Sequence, residues 1–230
     1  MQKKTIAIAA ALLAAASVHQ GAMAQCADGN VVIIGDSISA GYIPRPDGKK
    51  ILELRPELSY ANDLRSRYAV VNMSVGGADT THALNVQVPA TLGADPSHVV
   101  ILLGVNDAVD ASKLKTPDAA ATNAVAVAKK FTDAALAANR ACLPKVLFVL
   151  SPNYNATSQT WLPQYKTALT QKLAAQNWGW GNYKLLSTVF DASITAPTKA
   201  QYNCSTFDAH VCAAGHRDMG AKILAALQTW

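Results

Sequence analysis

Five short apolar runs, separated by helix-forming stretches, constrain the fold of this chain more than any other feature. They are Val31–Ile34, Ala69–Met73, His98–Leu103, Lys145–Leu150 and Lys184–Phe190. Several are nearly continuous in Val, Ile and Leu, the composition of strands buried on both faces of a parallel sheet. Helix candidates lie between and after them: Tyr60–Arg67, the alanine-rich Pro117–Arg140, the amphipathic Leu162–Asn177 and the closing Gly215–Gln228. Pro117 is placed to begin its helix, where its missing N–H costs nothing. Strand alternating with helix implies βαβ units and an α/β fold, a doubly wound three-layer α/β/α sandwich. Ligands of such sheets bind beyond the carboxyl ends of the strands, so the turns after the apolar runs should gather the chemistry on one edge.

A chain of 230 residues fits one domain with a substantial core, and 50% hydrophobic with 15% charged residues describes a compact chain rather than a disordered one. Residues 1–24 stand apart. Lys3 and Lys4 precede the apolar stretch Ile6–Val18, and Ala22-Met23-Ala24 offers a small-residue cleavage site before Gln25. That is the layout of a secretory signal peptide. The apolar stretch is short for a membrane span, which takes about 20 residues, and the bulky Gln25 does not suit lipoprotein attachment at Cys26. The expected organisation is a signal peptide over 1–24 and a single domain over 25–230, exported to the periplasm or the medium without a stable membrane anchor.

Cleavage would remove two lysines and no acid, taking the net charge from +5 to +3. So small a surplus, with no Lys/Arg-rich run, does not identify a nucleic-acid binder; the scattered basic residues read as solvated surface, and no nucleic-acid partner is expected. The four cysteines Cys26, Cys142, Cys204 and Cys212 favour disulfides in an exported protein. Three connectivities are open; Cys204 with Cys212 would close a short loop and leave Cys26 with Cys142. No Cys-x-x-Cys or His-x-x-x-His occurs, so no zinc pattern is present, and the reading calls for no metal and no cofactor.

The strand ends carry the candidate chemistry. Gly35-Asp36-Ser37-Ile38-Ser39 follows the first run, Asn72-Met73-Ser74-Val75-Gly76-Gly77 closes the second, and Gly104-Val105-Asn106-Asp107 follows the third. Asp208-Ala209-His210 stands just before the last helix. A serine nucleophile needs a base for its proton and donors for the oxyanion formed on acyl attack. Ser37 and His210 supply nucleophile and base, and a glycine lets backbone N–H approach a ligand unhindered. The Asn106 amide can donate to the same oxyanion, and an acid beside His210 would fix its tautomer.

These four blocks, in this order and each after the expected strand, resemble the SGNH hydrolases of the GDSL esterase/lipase group. The resemblance runs from about Val31 to the C-terminal helix. It implies a flavodoxin-like, doubly wound, five-stranded parallel sheet and hydrolysis of carboxylic esters through an acyl-serine. The nucleophile would be Ser37, the base His210, and the oxyanion donors the N–H of Ser37, the N–H of Gly77 and the amide of Asn106; spacing from Asn72 places Gly77 first and Gly76 second. The fourth block departs from the family's Asp-x-x-His-Pro, reading Asp208-Ala209-His210-Val211. Asp208 is the expected orienting acid, with a backbone carbonyl, another acid or a bare Ser-His dyad as the alternatives.

His216 is the rival base, placed in the first turn of the last helix. Asp36 and Asp107 read as structural, Asp191 as a cap, and His82 and His98 as surface or packing residues. Trp161, Trp178 and Trp180 read as packing, with an acyl or sugar site as their other use. The inserted stretch Tyr42–Ser59, with Pro44, Pro46 and Pro56, is expected to shape the mouth of the site. An α/β-hydrolase would carry Gly-x-Ser-x-Gly in mid-chain, and a nucleotide binder would need more glycine after the first strand than GDSIS offers. The expected function is an exported serine esterase, monomeric, acting on a small-molecule or glycan ester. Short acyl, lysophospholipid and O-acetyl sugar esters all fit. The alternative is a catalytically weak or inactive protein of the same fold that binds a glycan or lipid.

Overall fold

The computed structural model describes residues 29–45, 51–110, 112–150, 156–176, 183–186 and 210–230. Residues 1–24, on which the signal-peptide reading falls, and Cys26, Trp178, Trp180, Asp191, Cys204 and Asp208 lie outside the described residues.

In chain order the elements are β1 (Asn30–Gly35), α1 (Ser37–Ala40), β2 (Tyr42–Pro44), β3 (Leu52–Leu54), α2 (Tyr60–Leu64), β4 (Ala69–Asn72) and α3 (Thr80–His82). A turn of π-helix, Ala83–Gln87, leads into α4 (Val88–Thr91). There follow β5 (His98–Leu103), α5 (Val105–Val109), α6 (Pro117–Ala137), β6 (Lys145–Leu150), α7 (Ala156–Ala175), β7 (Tyr183–Leu186) and the C-terminal α8 (Ala213–Gln228). Five strands form one parallel sheet in the order β4-β1-β5-β6-β7. This is the doubly wound order in which the first strand lies inside and the chain reverses direction across it. The expected α/β three-layer sandwich is what the chain adopts.

The apolar runs are continuous because each strand buries both faces. On β1, Val32 and Ile34 enter one cluster with Ile101, Phe148 and the inner faces of α6 and α7. Val31 and Ile33 enter another, with Val100, Leu147, Tyr60 and Leu64 of α2, and Met219 and Ile223 of α8. In α6 the buried residues Ala120, Ala121, Ala124, Val127, Ala128, Phe131 and Ala135 follow the three-and-four spacing of one helical face. Small alanines there let the helix lie close to the sheet. Thr116 caps α6, accepting from Ala119 N–H at 3.2 Å, with Pro117 in the first turn as expected.

Some boundaries move. The helix expected from Leu162 begins at Ala156 and carries Pro163 in its interior. Its first turn offers Thr157, Ser158, Gln159 and Thr160, which give no apolar stripe to read. The last helix begins at Ala213 and α2 ends at Leu64. The last strand is Tyr183–Leu186, and positions 187–190 of the expected run lie outside the described residues. Within the stretch 42–59, β2 and β3 pair antiparallel. No described helix is long and apolar enough to cross a membrane.

Candidate active site

Three of the expected blocks end strands of the parallel sheet, and His210 of the fourth stands three residues before α8. Ser37 is the first residue of α1, directly beyond β1. Asp36 caps that helix, its Oδ1 accepting from Ile38 N–H at 2.9 Å, and Gly41 ends it in the left-handed region at φ 94°. The helix is anchored at Ser39, whose carbonyl accepts from Asn72 Nδ2 at 2.8 Å and from the Ser59 hydroxyl at 3.1 Å. The Ser39 hydroxyl meets the buried Tyr60 hydroxyl at 2.7 Å.

His210 comes from the other end of the chain. Its Nε2 lies 2.6 Å from Ser37 Oγ. Val211 is fully buried in the sheet–α8 core, and Cys212 occupies the N-cap of α8, so the histidine hangs from a fixed helix start. The Tyr42 ring stands 6.5 Å from the His210 ring at 59°. The rival His216 is fully buried. Its Nδ1 accepts from Tyr60 N–H at 3.4 Å, and its ring stacks on Tyr60 at 6.3 Å. Burial, with the charge of His210 nearby, pushes the His216 imidazole down to about 4.

The two glycines of the second block differ. A Cβ on Gly76 would lie 3.2 Å from the Tyr42 ring, so this position makes room for Tyr42. Gly77 has φ +73° and only Lys113 Nζ within reach of an added Cβ, at 3.6 Å. Asn106, in the first turn of α5, donates one amide hydrogen to Ala78 O at 2.9 Å; a carboxamide NH₂ has two. Asp107 is fully buried and accepts from Thr80 N–H at 3.1 Å and the Thr80 hydroxyl at 2.6 Å. Its role as a loop-holding residue fits that geometry.

Asp36 is also fully buried, and its Oδ2 meets no hydrogen-bond donor among the described residues. Burial pushes its carboxyl up to about 7, against the opposing pull of Ile38 N–H and the charge of His210. Residues that the sequence reading missed hold the site from behind: Gln87 on Gly35, and Lys113 and Lys115 on the second and third blocks. Gln87 reaches Gly35 across 52 positions, and Lys113 and Lys115 reach Gly77 and Asp79 across 36, so no local pattern marks these bonds. His98, read as a surface or packing residue, packs: it is fully buried at the start of β5, with Nδ1 2.9 Å from the Ser97 hydroxyl. Trp161 packs as expected, stacked on Tyr165 at 5.1 Å with Nε1 donating to Lys115 O at 2.9 Å. Among the described residues, no group of three or more His, Cys, Asp or Glu is placed to hold a metal ion.

A serine hydroxyl against an imidazole at the reversal point of a parallel sheet is the arrangement of a serine hydrolase. The family model of the GDSL-like lipase/acylhydrolase family matches residues 33–217, and the chain belongs to that family. It is a carboxylic ester hydrolase with the SGNH fold. Three solved structures illustrate the likeness. The inhibitor-bound aryl esterase of M. smegmatis is 16% identical with a TM-score of 0.64, covering 88% of this chain and 99% of its own. Est24, a carbohydrate acetylesterase from Sinorhizobium meliloti, is 18% identical with a TM-score of 0.61 and the same coverage. The psychrotrophic esterase EstA from Pseudoalteromonas sp., inhibited by monoethylphosphonate, is 20% identical with a TM-score of 0.60, covering 88% and 98%. At these identities the likeness is one of fold. No curated protein matches the sequence.

Proposed function

We propose that this protein is an exported serine esterase in which Ser37 forms an acyl-enzyme. The observation that carries the reading is the 2.6 Å approach of His210 Nε2 to Ser37 Oγ. His210 takes the hydroxyl proton as Ser37 attacks the ester carbonyl, and the developing oxyanion is held by the N–H of Ser37, the N–H of Gly77 and the second amide hydrogen of Asn106. Collapse expels the alcohol with the proton from His210. Water, deprotonated by the same imidazole, then releases the acid and restores Ser37.

Gly77 is favoured over Gly76 because its left-handed backbone lies in an open place, whereas Gly76 is packed against Tyr42. Asp208 is the proposed orienting acid, and Asp208→Asn tests it by a drop in kcat. The reaction calls for no cofactor. Residues 1–24 are proposed as a cleaved signal peptide, leaving residues 25–230 as one domain in the periplasm or the medium, monomeric and without a membrane anchor. The substrate is proposed as a small carboxylic ester or an O-acetyl sugar; the neighbouring structures named as aryl esterase and carbohydrate acetylesterase frame that range.

A fluorophosphonate probe should label the wild type and not Ser37→Ala. A folded wild type that resists labelling would instead favour a binding protein of the same fold. p-Nitrophenyl esters of graded chain length, run beside acetylated xylan, fix the substrate; turnover of the glycan alone would overturn a general esterase.

A further inference from the structure

The proposed oxyanion donors Gly77 and Asn106 stand at the ends of β4 and β5, and these strands are not neighbours: β1 lies between them. Sheet pairing therefore does not join the two loops directly. The loops meet where Asn106 Nδ2 donates to Ala78 O and Thr80 donates to Asp107, and a short segment after α5 adds a charged tie across them. Lys115 Nζ lies 2.5 Å from Asp79 Oδ2 and 3.3 Å from Asp107 Oδ1. Asp79 follows Gly77 by two residues, and Asp107 follows Asn106 directly. The lysine side chain is 17% exposed, Asp79 10% and Asp107 0%. Two carboxylates so far from water repel and are poorly solvated without a cation between them.

The ammonium is itself fixed. Its main-chain N–H donates to Asp107 O at 3.0 Å, its Nζ also reaches Lys113 O at 3.2 Å, and Trp161 Nε1 holds its carbonyl. Lys113 Nζ donates to Gly77 O at 2.8 Å, extending the clasp to the glycine. Burial alone would lower the pKa of Lys115, but the hydrogen bond to Asp79 and the charge of Asp107 outweigh it and hold it above the ordinary lysine value.

We propose that Lys115 is a positioning residue that sets the separation of the Gly77 N–H and the Asn106 amide by clasping the two loops that carry them. The proposal rests on the reading of those groups as the oxyanion hole. Lys115 acts through other groups and touches no substrate. Because the donors strengthen as charge develops on the oxygen, loosening them lowers kcat and spares KM.

The test uses p-nitrophenyl acetate and the full-length protein. Lys115→Met should lower kcat about 10- to 100-fold with KM within about threefold. Alkylating Lys115→Cys with 2-bromoethylamine, which rebuilds a lysine-like ammonium, should restore most of kcat. In an Asn106→Ala background, Lys115→Met should cost less than about threefold more, since the hole is already broken. Should Lys115→Met lose its cooperative melt, Asp79→Asn replaces it under the same criteria, since asparagine keeps the cap of α3 and drops the charge. Unchanged kcat in the folded variant, no rescue by the aminoethyl group, or a full multiplicative loss on Asn106→Ala would each overturn the clasp. Full activity in Asn106→Ala alone would instead overturn the oxyanion reading beneath it.

Discussion

The side-chain amide of Gln87 bonds the main chain of Gly35 in both directions. Nε2 donates to Gly35 O at 2.8 Å, and Oε1 accepts from Gly35 N–H at 3.1 Å. Gly35 ends β1 two residues before Ser37, and an added Cβ would lie 2.4 Å from Ser39 Oγ. Gln87 is 1% exposed at the end of the π-helical turn. One long polar side chain thus finishes a strand that has no room for a side chain of its own.

Gln87→Leu leaves the buried Gly35 N–H without a partner. The expected cost is about 1–3 kcal/mol, read as a fall in Tm of roughly 3–10 °C. A thermal melt within a degree of the wild type would contradict this account.

Asp36 and His216 give opposed pH dependences. The folded carboxyl at about 7 lies above its unfolded value of 3.8, so the folded state holds the proton longer, and Asp36 lends stability as pH falls from 7 to 3.8. The folded imidazole at about 4 lies below its unfolded 6.5, so His216 loses stability as pH falls through that window. Each masks the other in the wild type. Asp36→Asn, which keeps the helix cap, should melt higher than wild type at pH 8 and lose that advantage toward pH 4. His216→Gln should gain stability on acidification over the same range. Parallel Tm–pH curves for all three proteins would rule this out.

Gly76→Ala and Gly77→Ala should fail for different reasons. The first sets a methyl 3.2 Å from the Tyr42 ring, so Tyr42→Leu should relieve it in a double-mutant cycle. The second has space but forces an L-residue to φ +73°, at about 1–2 kcal/mol, and no change at Tyr42 should help. Equal rescue of both by Tyr42→Leu would refute the distinction.

No described cysteine is free. Cys142 lines a hollow with Gly29 and Asn30 at the amino end of β1, whereas Cys212 starts α8 beside His210 at the carboxyl end of the sheet. The two are separated by about the length of a six-residue strand, ~20 Å, beyond the ~7 Å Cα limit of a disulfide. This removes Cys26–Cys204 with Cys142–Cys212; of the two connectivities left, Cys204–Cys212, which closes a short loop, with Cys26–Cys142 is the expected one. Peptide mapping without reductant checks it; a Cys26–Cys204 peptide would refute the assignment.

Strands proved legible in the sequence because burial on both faces leaves an unbroken apolar run, as in Val99–Leu103. The candidate site was legible where a block followed such a run, as at Ser37 and Asn106, whereas His210 was marked by its place just before the last helix. The order of the strands was not written in any run; it came from the family resemblance. The β2–β3 hairpin escaped because its strands are three residues each and carry Pro44 and Glu53. Its ion pair, Arg45 with Glu53 at 3.2 Å, joins residues that no alternation marks. Gln87 and Lys115 escaped for another reason. A long polar side chain acting on a distant backbone leaves the same local pattern as one pointing into water.

Ser37 and His210 meet across 173 positions of chain. Contacts of such high sequence separation are costly to close and form late. No fragment lacking α8 brings the two together, so a nascent or clipped chain has a serine hydroxyl but no imidazole against it. Turnover would then count finished molecules, and a catalytic assay of this enzyme would double as an assay of its folding.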